Sequence, residues 1–250
     1  MTVEERRLGF IDTLRGITII SMVTYHLVWD LVYIFHVDLP WMHSFFAFCW
    51  QQSICWSFIL ISGFCRSIGH HPVKNGVRTF LFGGLIMAVT LLFTPEERII
   101  FGVLTFLGSA SLLMVPLEAI LRKVPCLVGL PVSFLLFLMT RGIQSHYFGF
   151  SFLSVKVPDF LYRNYFTAWL GFPFKGFFST DYFGIIPWFF LYLTGWFFYG
   201  IHSVKWKEIL KGFPEEKHLS FLGRHSIWIY MLHQPVIYGI LTLISTLSKP

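Results

Sequence analysis

The 250 residues are 55% apolar and only 13% charged, with a mean hydropathy of +0.66. Soluble domains carry about a quarter charged residues, and a chain of this length has too little interior to hide so much Phe, Ile, Leu and Trp. The net charge of +6 is spread in short clusters between apolar stretches, which argues against a nucleic-acid-binding face and for a chain dissolved in lipid.

Seven stretches are long enough, or nearly so, to cross about 30 Å of hydrocarbon. They lie near 10–35, 42–68, 77–95, 99–121, 124–140, 182–202 and 225–247. The expected fold is therefore all-α: one polytopic transmembrane bundle over 1–250, of about seven helices. The fifth stretch is the shortest and holds Pro125 and Pro131. Cys49, Cys55, Cys65 and Cys126 lie in or beside apolar segments without CxxC spacing, so they predict packing, with neither a metal site nor a disulfide framework.

The first stretch is too long for a cleavable leader, and Asp12 and Arg15 interrupt its start. Its polar residues form a pattern. His26 follows Arg15 by eleven residues, which at 100° per residue returns to within about 20° of the same face, roughly 16 Å along the axis. Asp30 is one turn beyond His26, close enough for a carboxylate to meet an imidazole. Ionisable groups inside a membrane helix are costly and point to function. The carboxylate can fix the tautomer of His26 and prepare it as a general base, while Arg15 can meet an anion such as a phosphate. The structural alternative pairs Arg15 with Asp12 and His26 with Asp30.

Along the second stretch, His43 is expected near the outer end, with Gln51 and Gln52 deeper, and His70 and His71 in the loop that follows. The segment 141–181 is rich in Phe, Tyr and Gly, including Phe152, and is too aromatic for disorder. It predicts a lid or interfacial segment on the outer face, or else a further helix pair. Pro187-Trp188 opens the sixth stretch as a structural start. The last stretch carries Arg224 and His225 at its boundary and His233-Gln234-Pro235 deeper. Pro235 frees a carbonyl in the turn before it, which membranes tolerate beside protein or a wet cavity.

Orientation follows from the loops. A cytoplasmic N-terminus puts Arg6, Arg7, Arg66, Lys74, Arg78, Arg122, Lys123, Lys205, Lys207, Lys211, Lys217 and Arg224 inside, against Arg98, Arg141, Lys156, Arg163, Lys175 and Lys249 outside.

The runs Ile11-Asp12-Thr13-Leu14-Arg15-Gly16, Tyr25-His26 and Trp29-Asp30 resemble the catalytic domain family of heparan-α-glucosaminide N-acetyltransferases. The resemblance continues through Ile61-Ser62-Gly63, Phe101-Gly102-Val103-Leu104, Pro187-Trp188 and Leu222-Gly223-Arg224-His225-Ser226 to His233-Gln234-Pro235. The Arg15-to-His26 spacing is also similar to that of the wider transmembrane acyltransferase superfamily. The resemblance implies a membrane-embedded acetyltransferase that takes an acetyl group from cytoplasmic acetyl-CoA and passes it to an acceptor on the far side, such as an amino sugar or surface glycan.

By that analogy His26 is the catalytic histidine, with Asp30 behind it and His43 as a second candidate. Arg15, with Asp12, Arg224, His233 and Gln234, is assigned to substrate binding. The implied partners are the lipid bilayer, acyl-CoA and a carbohydrate acceptor, with no nucleic acid and no metal; a monomer and a homodimer are both open. The chain reads as a multi-pass protein of a bacterial plasma membrane. Two departures from the family pattern stand out. Thr105 occupies a position after Phe-Gly-x-Leu where many relatives carry histidine. In the lysosomal enzyme the proposed histidine falls between the first two helices, and His43 is the nearest match. The competing readings are a proton-coupled transporter or flippase-like partner, with His26 and Asp30 as a relay, and a haem protein with His26 and His233 as axial ligands.

Overall fold

The computed structural model describes residues 9–150, 153–202, 205–211 and 213–247. Arg6, Arg7, Phe152 and Lys249 lie outside the described residues, as do the side chains of Lys207 and Lys211. Ten helices follow in order among those residues: α1 Gly9–Tyr33, α2 Phe45–Arg66, α3 Pro72–Phe93, α4 Val103–Leu121, α5 Cys126–Thr140, α6 Tyr165–Leu170, α7 Ile185–Ile201, α8 Trp206–Lys211, α9 Lys217–Arg224 and α10 Ser226–Leu247. The fold is an all-α polytopic membrane protein. Six helices are long and apolar enough to cross a bilayer, and α7, with 17 residues, is the shorter seventh at the lower limit of spanning length. Large apolar side chains point outward along the long helices, as Leu81, Leu85 and Leu92 do on α3 and Leu232, Val236 and Leu243 on α10. In water such a surface would aggregate; in lipid it is the expected outer face.

The chain groups into two compact units, residues 1–61 with 204–250, and residues 62–203. In the first, Ile19 and Met22 of α1 and Ile54 of α2 form a buried core, joined by Trp50, Leu222 and Tyr230. Helix α9 lies against α1 at backbone contact. A Cβ on Gly16 would collide with the Leu219 carbonyl, and one on Gly223 with the Asp12 carbonyl. Small residues let helix backbones approach this closely, so the Gly16 and Leu222-Gly223 signatures are explained by packing. The helix expected near 225–247 is α10, Ser226–Leu247; it is set off from α9 at His225, whose N–H bonds back to the Phe221 and Leu222 carbonyls.

Glu216 caps α9 by accepting from the Leu219 N–H at 2.6 Å. That backbone hydrogen bond holds its carboxyl below the usual glutamate range. The cap therefore contributes fully above the ordinary glutamate range and is lost as pH falls through the lowered folded value. Glu216→Gln is expected to flatten the acid limb of a melting-temperature profile by lowering the neutral plateau, leaving the acid end nearly unchanged.

In the second unit α3 packs along α4 and α5 along α7. Helix α7 is the most enclosed: Trp188, Leu191, Tyr192, Trp196 and Phe197 are all buried. Thr105 is buried in α4 against Gly83 of α3. The motif Phe101-Gly102-Val103-Leu104 opens α4, and Asp181 receives the Val103 N–H at 3.2 Å while Ser179 receives that of Ile100 at 2.9 Å. The Val103 N–H, an open donor of the helix start, is thus satisfied by the end of the aromatic segment, which also takes the Ile100 N–H before it.

That segment is folded without a helix pair. It contains a two-residue antiparallel hairpin, β1 Tyr147–Phe148 with β2 Val155–Lys156, and the short helix α6, held by a reciprocal capping box between Asn164 and Thr167. Ile143, Val157 and Tyr162 make its own small core, packed by Phe148, Leu161, Phe172 and Ile186.

Candidate active site

The polar stripe of α1 meets the polar turn of α10 inside the first unit. Gln234 donates through Nε2 to Asp30 Oδ1 at 2.7 Å, and Asp30 is fully buried. Beside this pair the rings of His26 and His233 meet edge to face, with centroids 4.7 Å apart. Helix periodicity offered an Asp30–His26 pairing within α1. The folded chain joins each of these residues to α10 instead, and no hydrogen bond to His26 is found among the described residues. The edge-on packing of the two imidazoles leaves no room for a porphyrin between them.

His233 has a defined tautomer. Its Nδ1 lies 2.6 Å from the Tyr230 carbonyl, which can only accept, so Nδ1 carries the hydrogen. In the neutral ring Nε2 is then a bare acceptor. It is buried without a partner among the described residues, and so is Gln234 Oε1. Buried acceptors left unpaired cost about 1–3 kcal/mol each. Two on adjacent residues make a site suited to an incoming N–H or O–H donor. Pro235 belongs to the same turn; it supplies no N–H to the Met231 carbonyl, which loosens the helix at this depth. On the other side Tyr25 stands edge-on to Trp50, whose indole donates to Ser21 at 2.9 Å.

Towards the start of α1, Arg15 donates to Asp12 at 3.2 Å, as the structural alternative held. The contact uses one guanidinium nitrogen, and about a third of the side chain is exposed, 31%. Arg15 adjoins Gly16 and exposed Arg224 adjoins Gly223, so both arginines flank the tight crossing of α1 and α9. The basic loops of the second unit differ in this respect. Arg66 is buried against Glu118 at 3.0 Å, and Glu118 also accepts from Arg122 at 2.6 Å.

His43 stands elsewhere than on a second helix. It ends the 3₁₀ turn Pro40–His43 between α1 and α2, with Nδ1 3.4 Å from the hydroxyl of Tyr33, the last residue of α1. From Arg15 to Tyr33 the helix rises roughly 27 Å. Arg15 near one end of α1, His26 within it against His233 of α10, and exposed His43 beside its far end thus mark three levels of one membrane helix.

The model of the family described as heparan-alpha-glucosaminide N-acetyltransferase, catalytic, matches residues 7–235. The chain belongs to this family. The match spans every residue of the α1–α10 site and ends at Pro235. No curated protein and no solved structure matches the chain. Membership of the N-acetyltransferase family implies a transferase acting from within the membrane.

Sequence reasoning singled out His26, Asp30, His233 and Gln234 separately. It paired His26 with His233 only as haem ligands, and it missed the Asp30–Gln234 bond and the Tyr230 carbonyl that sets the His233 tautomer. The i−3 spacing of Tyr230 and His233 was the available signal.

Proposed function

We propose that this family member transfers an acetyl group from acetyl-CoA on the cytoplasmic side to an amino or hydroxyl group of a glycan on the opposite side, within a cell membrane. The observation that supports it best is the half-buried His26–His233 pair flanked by two buried, unpaired acceptor atoms, His233 Nε2 and Gln234 Oε1. The acceptor's N–H or O–H hydrogen-bonds to them and its nitrogen or oxygen attacks the thioester carbonyl carbon. An imidazole of the pair takes the proton as the new bond forms. The carbon–sulfur bond then breaks, and the CoA thiolate recovers a proton on leaving. The buried Asp30–Gln234 bond holds α10 in register with α1, so Asp30 and Gln234 act as positioning residues.

With the N-terminus cytoplasmic, Arg15 and Arg224 face the donor side and meet the CoA phosphates, for which a guanidinium fork is suited. His43 stands on the acceptor side. Calorimetry in detergent tests the donor half directly. Acetyl-CoA should bind the wild type, weaken about tenfold on Arg15→Ala, the loss expected for one charge-assisted phosphate contact, and change little on His26→Ala. Equal affinity in wild type and Arg15→Ala would remove Arg15 from the donor site.

A further inference from the structure

Charge gathers where helices of the second unit end. Arg66 closes α2 with its side chain only 8% exposed, and its Nη2 donates to Glu118 Oε2 of α4 at 3.0 Å. Arg122, one turn further along α4, gives Nη2 to the other carboxylate oxygen, Glu118 Oε1, at 2.6 Å and Nε to the same oxygen at 3.2 Å. One carboxylate thus stands between two guanidiniums, and the group keeps one formal positive charge. Pro72, which opens α3, is tied to α4 by Ser111 Oγ, which donates to its carbonyl at 3.3 Å.

The donors left over point to a ligand. Arg66 Nε is buried and has no partner among the described residues. An unpaired buried donor costs about 1–3 kcal/mol, and more on a charged group. Arg122 is 70% exposed, so the outer edge of its guanidinium is open, and exposed Lys123 follows it. A surplus cation at the end of a spanning helix calls for an anion, and a guanidinium fork matches the oxygens of a phosphate.

The surface beside Arg122 is apolar. Val115, Ala119 and Arg122 are all exposed and stand at i, i+4 and i+7, so they form one stripe of α4. Val115 lies roughly 10 Å from Arg122 along the axis, deeper in the helix. A free phosphate makes no use of such a wall, whereas acyl chains pack on it. With the N-terminus cytoplasmic this boundary is the inner one, where anionic lipid attracts each Lys or Arg near the surface by about 1 kcal/mol.

We propose that Arg66, Glu118 and Arg122 form a headgroup site for an anionic phospholipid, with its phosphate on the open guanidinium donors and its acyl chains along Ala119 and Val115. The site does not depend on the acetyltransferase reading.

Native mass spectrometry of the delipidated full chain in detergent tests it, with dioleoylphosphatidylglycerol, dioleoylphosphatidylcholine, inorganic phosphate and acetyl-CoA as probes. The first phosphatidylglycerol adduct should be the more strongly retained, because the choline of the other lipid brings its own cation to the site. Arg122→Gln should weaken phosphatidylglycerol about tenfold, the loss of one charge-assisted contact, and leave phosphatidylcholine unchanged. Arg122 is exposed, so the variant should keep the wild-type melting temperature; if it fails to fold, the wild-type preference between the two lipids decides alone. Equal retention of the two lipids overturns the proposal, as does undiminished phosphatidylglycerol binding in folded Arg122→Gln. Displacement of the lipid by inorganic phosphate would make this a free-anion site, and displacement by acetyl-CoA would make it part of the donor site. Either result also overturns the lipid assignment, and retention against both supports it.

Discussion

Replacing His26 with alanine is expected to lower acetyl transfer by roughly 10²- to 10⁴-fold, the range a positioned general base contributes. Acetyl-CoA affinity should stay within about twofold, because His26 lies roughly 16 Å along α1 from Arg15. His233→Ala should cause a loss of comparable order. The double variant should fall little further than either single, since groups acting as one unit are not additive. The measurement is labelled acetyl transfer at saturating donor. Full activity in both single variants would move the chemistry to His43, whose exposed ring at the end of the 3₁₀ turn is the remaining candidate.

The second large effect is on stability. Gly223→Leu is expected to destabilise the first unit by about 1–3 kcal/mol or more, the range for overpacking a tight contact. The added side chain meets the Asp12 carbonyl and the Gly16 backbone, neither of which can rotate away. Gly16→Leu should act similarly against Leu219. The two glycines face one another's helix, so the double variant should show coupling rather than simple addition. Thermal melting in detergent measures it. A wild-type melting temperature for Gly223→Leu would mean that α9 does not pack on α1 through this contact.

The long helices were legible because a run of apolar residues of spanning length carries its own signal. Helices α1 to α5 begin and end within a few residues of the expected stretches, apart from the early start of α3 at Pro72. That start was hidden by Lys74 and Arg78, which lie on its first turns and lower the local hydropathy. His43 falls outside the second helix because of Pro40 and Ser44. Proline opens the 3₁₀ turn, and Ser44 is extended before α2 begins. The fold of 141–181 was not legible, because a hairpin two residues long and a helix of six give no periodicity to read.

The candidate site shows the same division. Intramembrane charge and proline at Arg15, His26, Asp30 and His233-Gln234-Pro235 were visible on each helix alone. Their partners were not, since the 3.6-residue repeat describes neighbours within a helix and is silent about the helix beside it. Hence Arg15–Asp12 was foreseen and Asp30–Gln234 was not, while His26 and His233 were brought together only as ligands of a haem and not as rings in direct contact.

The most direct test of the central claim is acetyl transfer by the wild-type protein in sealed vesicles, with labelled acetyl-CoA on the side of the N-terminus and an amino sugar enclosed on the other. The account predicts labelled N-acetyl sugar inside, dependent on His26 and on intact acetyl-CoA. No labelled sugar, together with proton-coupled movement of the unmodified sugar in the absence of CoA, would contradict it and make the paired histidines and Asp30 a transport relay.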